Sequence, residues 1–232
     1  MKKAVLLLLL ASSSLWSQVI TEVTNDNYDL VTNYVRTNNI DYSLVDGSPY
    51  LNPNFAPAKI NEIKETQFVR FNVVENTIEI QLPGNKIIAI DFTKNPYTIV
   101  LNDGSDKHYE THCFVDTKGN LEYTFLELVH RNEKYSLFLK ERIKFIEKKE
   151  GVARYVDAVN AKFLKIDAVF YVTDLVNRSD TLQPLSRKKK NFSEPFMKQS
   201  KEIEKFRKQE DLDMTTARDW IAVLDYYFEL KS

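Results

Sequence analysis

Leu121-Glu-Tyr-Thr-Phe-Leu-Glu-Leu-Val129 and, a few residues on, Tyr135-Ser-Leu-Phe-Leu-Lys-Glu-Arg-Ile-Lys-Phe-Ile146 decide how this chain folds. In the second run Tyr135, Leu137, Leu139, Ile143 and Phe145 share one parity, broken once by Glu141. Ser136, Lys140, Arg142 and Lys144 take the other, interrupted by Phe138 and Ile146. A period of two sends successive side chains to opposite faces of a strand, so one face is buried and the other is mostly wet. Such alternation belongs to antiparallel sheet; parallel strands, covered on both faces, read as continuous apolar runs. Working outward, turn pairs sit where the alternation breaks: Pro83-Gly84, Asp103-Gly104, Lys118-Gly119 and the short Glu75-Asn76. The stretch from Gln67 to Glu147 therefore reads as a β-meander, and the fold class expected is mainly β: an antiparallel meander, open and twisted or partly closed as a barrel, with C-terminal α-helices.

Met1 to Ser17 carries two lysines, an unbroken apolar run from Ala4 to Ala11 and a zone of small residues ending at Ser17. These are the three parts of a secretory signal peptide. The apolar run is far short of the ~20 residues that span a bilayer, so cleavage is expected and no transmembrane segment after it. No cysteine follows for a lipid anchor. Residues 18–232 would remain, enough for one large domain. The formal charge of −1 becomes two units more negative once Lys2 and Lys3 depart. A mildly acidic chain has no global electrostatic reason to seek nucleic acid. Cys113 is the only cysteine, so stability must come from the core rather than from an intrachain disulfide.

The chain divides into the signal (1–17), a lead-in and Pro-rich strap (18–57), an antiparallel β domain (58–180) and a helical C-terminal element packed on the sheet (181–232). In the lead-in, Leu30, Val31, Tyr34 and Val35 have the spacing of one helical face. The strap holds Pro49, Pro53 and Pro57, each of which removes a donor and extends its predecessor. It reads as a stiff closure for one end of the sheet, anchored by Tyr50, Leu51 and Phe55. A short strand is expected over Lys59 to Lys64. A further one spans Phe163 to Val172, with Leu164, Ile166, Ala168, Phe170 and Val172 on one parity. Beyond the basic run Arg187-Lys-Lys-Lys190, Ser193 is placed to cap a helix, with Pro195 in its first turn and Phe192 stapled on Met197. Ile203 and Phe206 continue its apolar side, and Glu204 and Lys208 are spaced for an i,i+4 pair. A second helix is expected to start near Thr216 and to bury Trp220 against the sheet.

The export signal, the segment Gly47-Ser-Pro-Tyr-Leu-Asn52 and the ending Asp219-Trp-Ile-Ala-Val-Leu-Asp-Tyr-Tyr-Phe-Glu229 together resemble a group of exported proteins from Bacteroidota-type bacteria. The resemblance covers most of the chain after the signal. It implies compartment and architecture, and it carries no activity and no functional residues.

Asp106, His108, Glu110, His112 and Cys113 form the densest group of ligand-type side chains. On a helix His108 and His112 would share a chelating face, but the pattern here is strand, where four residues span about 13 Å, too far for one ion bound at ~2 Å. Cys113 would face away from both. A cross-strand partner such as Glu127 or His130 could complete a site, yet nothing demands one. No metal, cofactor-binding or catalytic residue is therefore assigned. All five glycines stand at turns or breaks, leaving none for a phosphate-cradling loop. No G-x-S-x-G, H-E-x-x-H or C-x-x-C occurs. Asp167, Asp174 and Asp180 could make a glycosidase-type pair only through proximity in space. The basic run 187–190 reads as a solvated loop; its other reading is contact with anionic lipid headgroups or polysaccharide phosphates.

What these features favour is an exported, non-enzymatic binding or structural protein of the periplasm or cell envelope. A twisted sheet would hold an apolar or peptide ligand, or an envelope protein. The alternative is a hydrolase of envelope polymers acting through paired carboxylates or His108 and His112. N-terminal mass analysis of protein recovered from the envelope fraction should find Gln18, free or cyclised, as the first residue; an intact Met1 would refute the cleavage.

Overall fold

The computed structural model describes residues 31–32, 42, 45–61, 63–90, 96–148, 160–174, 180–192 and 194–231. The signal stretch, most of the lead-in, Gly151 and Ser193 lie outside the described residues. The strands are β1 (Val31–Thr32), β2 (Ala56–Ile60), β3 (Gln67–Asn72), β4 (Thr77–Gln81), β5 (Ile87–Ile90), β6 (Thr98–Leu101), β7 (His108–Val115), β8 (Leu121–Arg131), β9 (Tyr135–Ile146), β10 (Lys162–Asp174) and β11 (Gln183–Leu185). They form one sheet in the order β1-β5-β4-β3-β2-β6-β7-β8-β9-β10-β11. Every pairing of named strands is antiparallel. β2 is the pivot: β3 to β5 meander away from one edge of it and β6 to β11 from the other. The fold is thus a mainly β antiparallel meander curled into a half-barrel, with α-helices at its C-terminal end.

The turn signals lie where the sequence places them, with Asn76 at φ 56° between β3 and β4. Two elements differ from expectation. Val31 and Thr32 pair with Ile90 and Ala89 as a strand, because β-branched residues favour the pleated sheet over a helix. The short strand runs Ala56–Ile60, and Lys59 and Lys64 are joined instead by Lys59 Nζ donating to Lys64 O at 2.8 Å.

The curl closes at two places. Leu182, just before β11, donates to Cys113 O at 3.0 Å and accepts from Val115 N–H at 3.0 Å, so the chain beside β10 also joins β7. Phe114, Leu126, Phe138, Val169, Tyr171 and Leu182 fill the interior so enclosed. At the far end Asp46 N–H donates to Ala161 O at 3.1 Å and Phe163 N–H to Asp46 O at 2.8 Å, tying the strap to the start of β10. This curl corrects the expectation of one wet face on β9. Ser136 and Phe138 are buried along with Tyr135 and Leu137, because the concave side is filled while the convex side is also covered.

Two bulges shift the alternation. One lies between Leu128 and His130 against β9, the other between Ile166 and Val169 on β10. The second splits the single parity read over residues 164–172: Leu164 is exposed while Phe163 and Phe170 are both buried. A bulge adds one residue and bends its strand.

The strap is held by a buried ion pair. Arg70 Nε donates to Glu79 Oε2 at 2.7 Å, and Glu79 is 1% exposed. Asn72 Nδ2 and Tyr50 OH each donate to its other oxygen at 3.3 Å. The Arg70 guanidinium lies 3.9 Å from the Tyr50 ring centre and 4.5 Å from that of Phe55, so both strap aromatics lie against it. Beside them Tyr42 OH donates to Glu75 at 2.7 Å. Burial, then the charge of Glu79, pushes the Glu75 carboxyl above its ordinary range.

The C-terminal region comprises α1 (Lys189–Phe192), a 3-10 turn (Glu194–Gln199), α2 (Ser200–Gln209) and α3 (Ala217–Lys231). The regular helix thus begins at Ser200, later than Pro195, and Met197 at φ 46° breaks the helical path before it. Phe192 packs on Phe196 at 5.6 Å, while Met197 is 78% exposed and takes no part in a staple. Glu204 and Lys208 make their pair at 3.3 Å. Thr216 Oγ1 accepts from Asp219 N–H at 3.2 Å, the bond expected of an N-cap. Tyr135 ties α3 to the sheet: its ring stacks on Phe228 at 5.3 Å and its hydroxyl donates to Asp225 at 2.9 Å. Trp220 is 1% exposed, between Phe170 and Phe192.

Gly47 is where the strap meets β10. Its φ is +85°, and a Cβ there would lie 2.9 Å from Phe163 O. Gly47→Ala is expected to destabilise the protein by roughly 1–3 kcal/mol, the strain of a left-handed non-glycine residue plus a backbone clash. Urea unfolding measures it, and an unchanged midpoint would mean that the closure is dispensable.

Candidate functional site

Along β9, one face meets two different covers. Tyr135, Leu137 and Leu139 pack under the helices, whereas Ile143 packs against the β2–β6 part of the sheet. Glu141 lies between them, at the seam. Its carboxylate is paired with Lys165 of β10, whose Nζ donates to Oε1 at 3.2 Å and lies 3.2 Å from Oε2, which accepts no hydrogen bond among the described residues. The Glu141 side chain is 15% exposed and that of Lys165 is 65% exposed. A cavity opens on each side of this pair, and both residues line both cavities.

The larger of these two cavities, about 560 Å³, lies between the β10 bulge and the start of α3. Leu139, Ile166, Phe170, Leu185, Met214 and Trp220 give it an apolar body. Its charged groups are Arg142, Lys165, Arg187 and Lys188 against only Glu141 and Asp167. The bulge supplies the anchor for this rim. Arg142 Nε donates to Asp167 O at 2.7 Å, and Arg187 pairs with the Asp167 carboxylate at 2.5 Å. The indole N–H of Trp220 has no acceptor among the described residues, contrary to the expectation that a buried tryptophan finds one.

The smaller cavity, about 290 Å³, is bounded by the strap residues Leu51 and Ala56, by Val69, Phe71 and Ile78, and by Tyr109. Its cations are engaged elsewhere: Arg70 with Glu79, and Lys107 with Glu127 at 2.6 Å. Burial, reinforced by the charges of Glu127, Glu141 and Asp103, pushes the Tyr109 phenol above its ordinary range. A third hollow, about 580 Å³, lies between β10–β11 and α3 and is walled by Pro184, Phe196, Leu224 and Tyr227.

His108, Glu110 and His112 share one face of β7, and Cys113 faces away, as the strand reading requires. His112 Nε2 lies 3.0 Å from Glu110 Oε2 and its ring 4.4 Å from that of Phe138. Arg131 grips Glu110 with two nitrogens, at 3.0 and 2.7 Å, and bonds Ser136 with a third. His108 stands opposite Leu128, and neither suggested partner joins it. Glu127 is opposite Tyr109 and pairs with Lys107; His130 packs on Tyr135 at 5.4 Å. Among the described residues no group of three or more metal-ligating side chains is assembled. Of the three aspartates, Asp167 pairs with Arg187 at the bulge, Asp174 ends β10 opposite Tyr135, and Asp180 is exposed before Leu182.

Three site residues stood out in the sequence: Glu141 as the break in the β9 alternation, without a role, and Arg187 and Lys188 in the basic run, whose second reading was contact with anionic headgroups or phosphates. Arg142 and Trp220 carried no signal beyond strand and helix periodicity. No helix among the described residues is long and apolar enough to cross a membrane. No protein-family model, curated protein or solved structure matches the chain.

The Glu110 cluster makes a prediction about pH. Burial opposes the Glu110 charge, but the hydrogen bonds from His112 and Arg131 win and lower its pKa to about 2. A lowered folded-state value stabilises the protein above the ordinary carboxyl range, and the benefit fades as pH falls from about 5 toward 2. At ~1.4 kcal/mol per unit, reduced by solvent screening around the half-exposed Arg131, wild type should exceed Glu110→Gln by on the order of 2 kcal/mol at neutral pH. Unfolding titrations of the two proteins should show this gap closing through the acid range. A gap independent of pH would contradict the assignment.

Proposed function

We propose that the chain is an exported, non-enzymatic binding protein of the periplasm or cell envelope, whose ligand is an amphiphile with an apolar body and one anionic end. The recess beneath Trp220 is its seat. The observation that carries this reading is the composition of that recess: apolar walls, a cation excess at the rim, and a buried indole N–H with no acceptor. Binding pockets of this kind are mostly apolar, with a few polar groups that fix orientation. Trp220 lines the recess, so a ligand seated there packs against its indole. Arg187 and Lys188, half of the basic run, stand at the rim, which supports the anionic-headgroup reading of that run over the solvated-loop reading. Export is supported by the three-part N-terminal pattern.

The hydrolase alternative has less support. A glycosidase needs two carboxylates facing across the scissile bond. Around the larger recess Glu141 is tied to Lys165 and Asp167 to Arg187. Histidines 108 and 112 lie on β7, where one is locked against Glu110 and Phe138.

In the cleaved protein Trp220 is the sole tryptophan, so its fluorescence reports on the recess. Decanoate should change the emission saturably, and the neutral alcohol of the same length should bind at least about tenfold more weakly. Replacing both Arg187 and Lys188 by alanine should cost decanoate about tenfold and leave the alcohol unaffected. Equal binding of acid and alcohol, or none by either, would overturn the reading.

A further inference from the structure

We infer that the Glu141–Lys165 pair is a partition that sets the length of ligand the recess accepts. This rests on reading the recess as a ligand seat.

The two cavities meet at this pair. Both side chains belong to the wall of each, and apolar surface continues on either side: Leu139 and Phe170 toward the helices, Phe71 and Ile78 toward the strap. An apolar residue at 141 would have continued the alternation of β9 and joined the two cores. A carboxylate there is instead desolvated, and a half-buried ion pair is often no more stable than the apolar side chains that could replace it. Stability alone therefore gives no reason for Glu141, whereas separation of two apolar chambers does.

Two physical effects act at the partition. An alkyl chain advancing past Leu139 would have to displace a charged pair, exchanging solvated charge for contact with hydrocarbon. An anionic head placed at the seam would meet the Glu141 carboxylate, so the head is drawn instead to Arg187 and Lys188 at the rim. The tail then points toward the partition and stops there. The pair is asymmetric, and this suits a replaceable wall. Lys165 is largely exposed and can retreat into water, while Glu141 is the inner half.

The test is a chain-length series of straight-chain carboxylates, from about six to about sixteen carbons, read by Trp220 fluorescence on the cleaved protein. Each methylene buried should tighten binding about fourfold until the chain reaches the partition. In wild type the gain should then stop. In Glu141→Ala the gain should continue for several further carbons, so that the longest chains bind at least about tenfold more tightly than to wild type. Glu141→Ser, which keeps a hydrogen-bonding group for Lys165, serves if the alanine variant does not fold. Adding Ala56→Leu, which fills the smaller chamber, should return the plateau to its original length. A wild type that binds and a plateau unmoved in the Glu141 variants would refute the partition alone. A wild type that binds no member of the series would refute the ligand seat beneath it.

Discussion

Glu79 is the one charged residue fully buried among the described residues, and the closure of the sheet depends on how that charge is held. An isolated carboxylate at such a site would cost several kcal/mol, so it persists only with partners. Arg70 supplies the counter-charge, and the guanidinium in turn needs faces to lie against; Tyr50 and Phe55 of the strap provide them. Fixing those two rings places the strap backbone, and the strap carries Asp46 and Gly47 to the start of β10. One buried charge thereby couples β3 and β4, at one side of the sheet, to β10 at the other. The smaller cavity lies in the space so enclosed. The ion pair is better understood as a device for geometry than as a source of net stability, since a pair of apolar residues could fill the volume without it.

The second organising constraint is that long strands have two faces, and both need covers. β8, β9 and β10 run for 11, 12 and 13 residues, and at about 3.3 Å per residue they outreach α3, which rises only about 1.5 Å per residue. The curl covers the concave side of their paired halves through Phe114, Leu126 and Phe138. The convex side is shared between α3 and the strap-bearing part of the sheet. Where two independent covers meet, their surfaces do not close on each other, and recesses form at the join. The β10 bulge deepens one of them by bending the strand at Ile166–Val169. The cavities thus follow from the fold's own division of labour, and Glu141 stands at the place where that division falls.

The local features were legible because they depend on neighbours in the chain. Alternation over 121–146, the four turn pairs, the Thr216 cap and the Glu204–Lys208 pair each involve residues a few positions apart. What was not legible depends on distant parts. A bulge changes parity without any change in composition, so Leu164 and Phe170 read as sharing a face when they do not. Closure by Leu182 on Cys113 and Val115 is a backbone event and leaves no side-chain signature. The burial of Ser136 and Phe138 follows from that closure. Phe192 was placed on the wrong partner because Met197 adopts a positive φ that no periodicity announces. Glu141 was visible as an irregularity, yet its meaning required knowing that Lys165 is its neighbour and that two cavities border it.

A binding role also accounts for features that a purely structural role leaves costly. A scaffold gains nothing from an indole N–H without an acceptor at 1% exposure, or from a carboxylate interrupting an apolar face. Either could be replaced by a side chain that packs as well and desolvates no polar group. They sit on opposite sides of one recess, one on α3 and one on β9, so a single ligand can touch both elements. The hydrocarbon of that ligand would bury the walls that the helices and bulge leave open, the Trp220 ring among them. Anything that binds only the folded chain adds stability in proportion to the logarithm of its concentration over Kd. The helices and the sheet, joined elsewhere mainly through Tyr135 and the aromatic cluster around Trp220, would then be held more firmly with the ligand than without it. On that reading, a cost in stability at the seam and a limit on ligand length there follow from the same choice of residues.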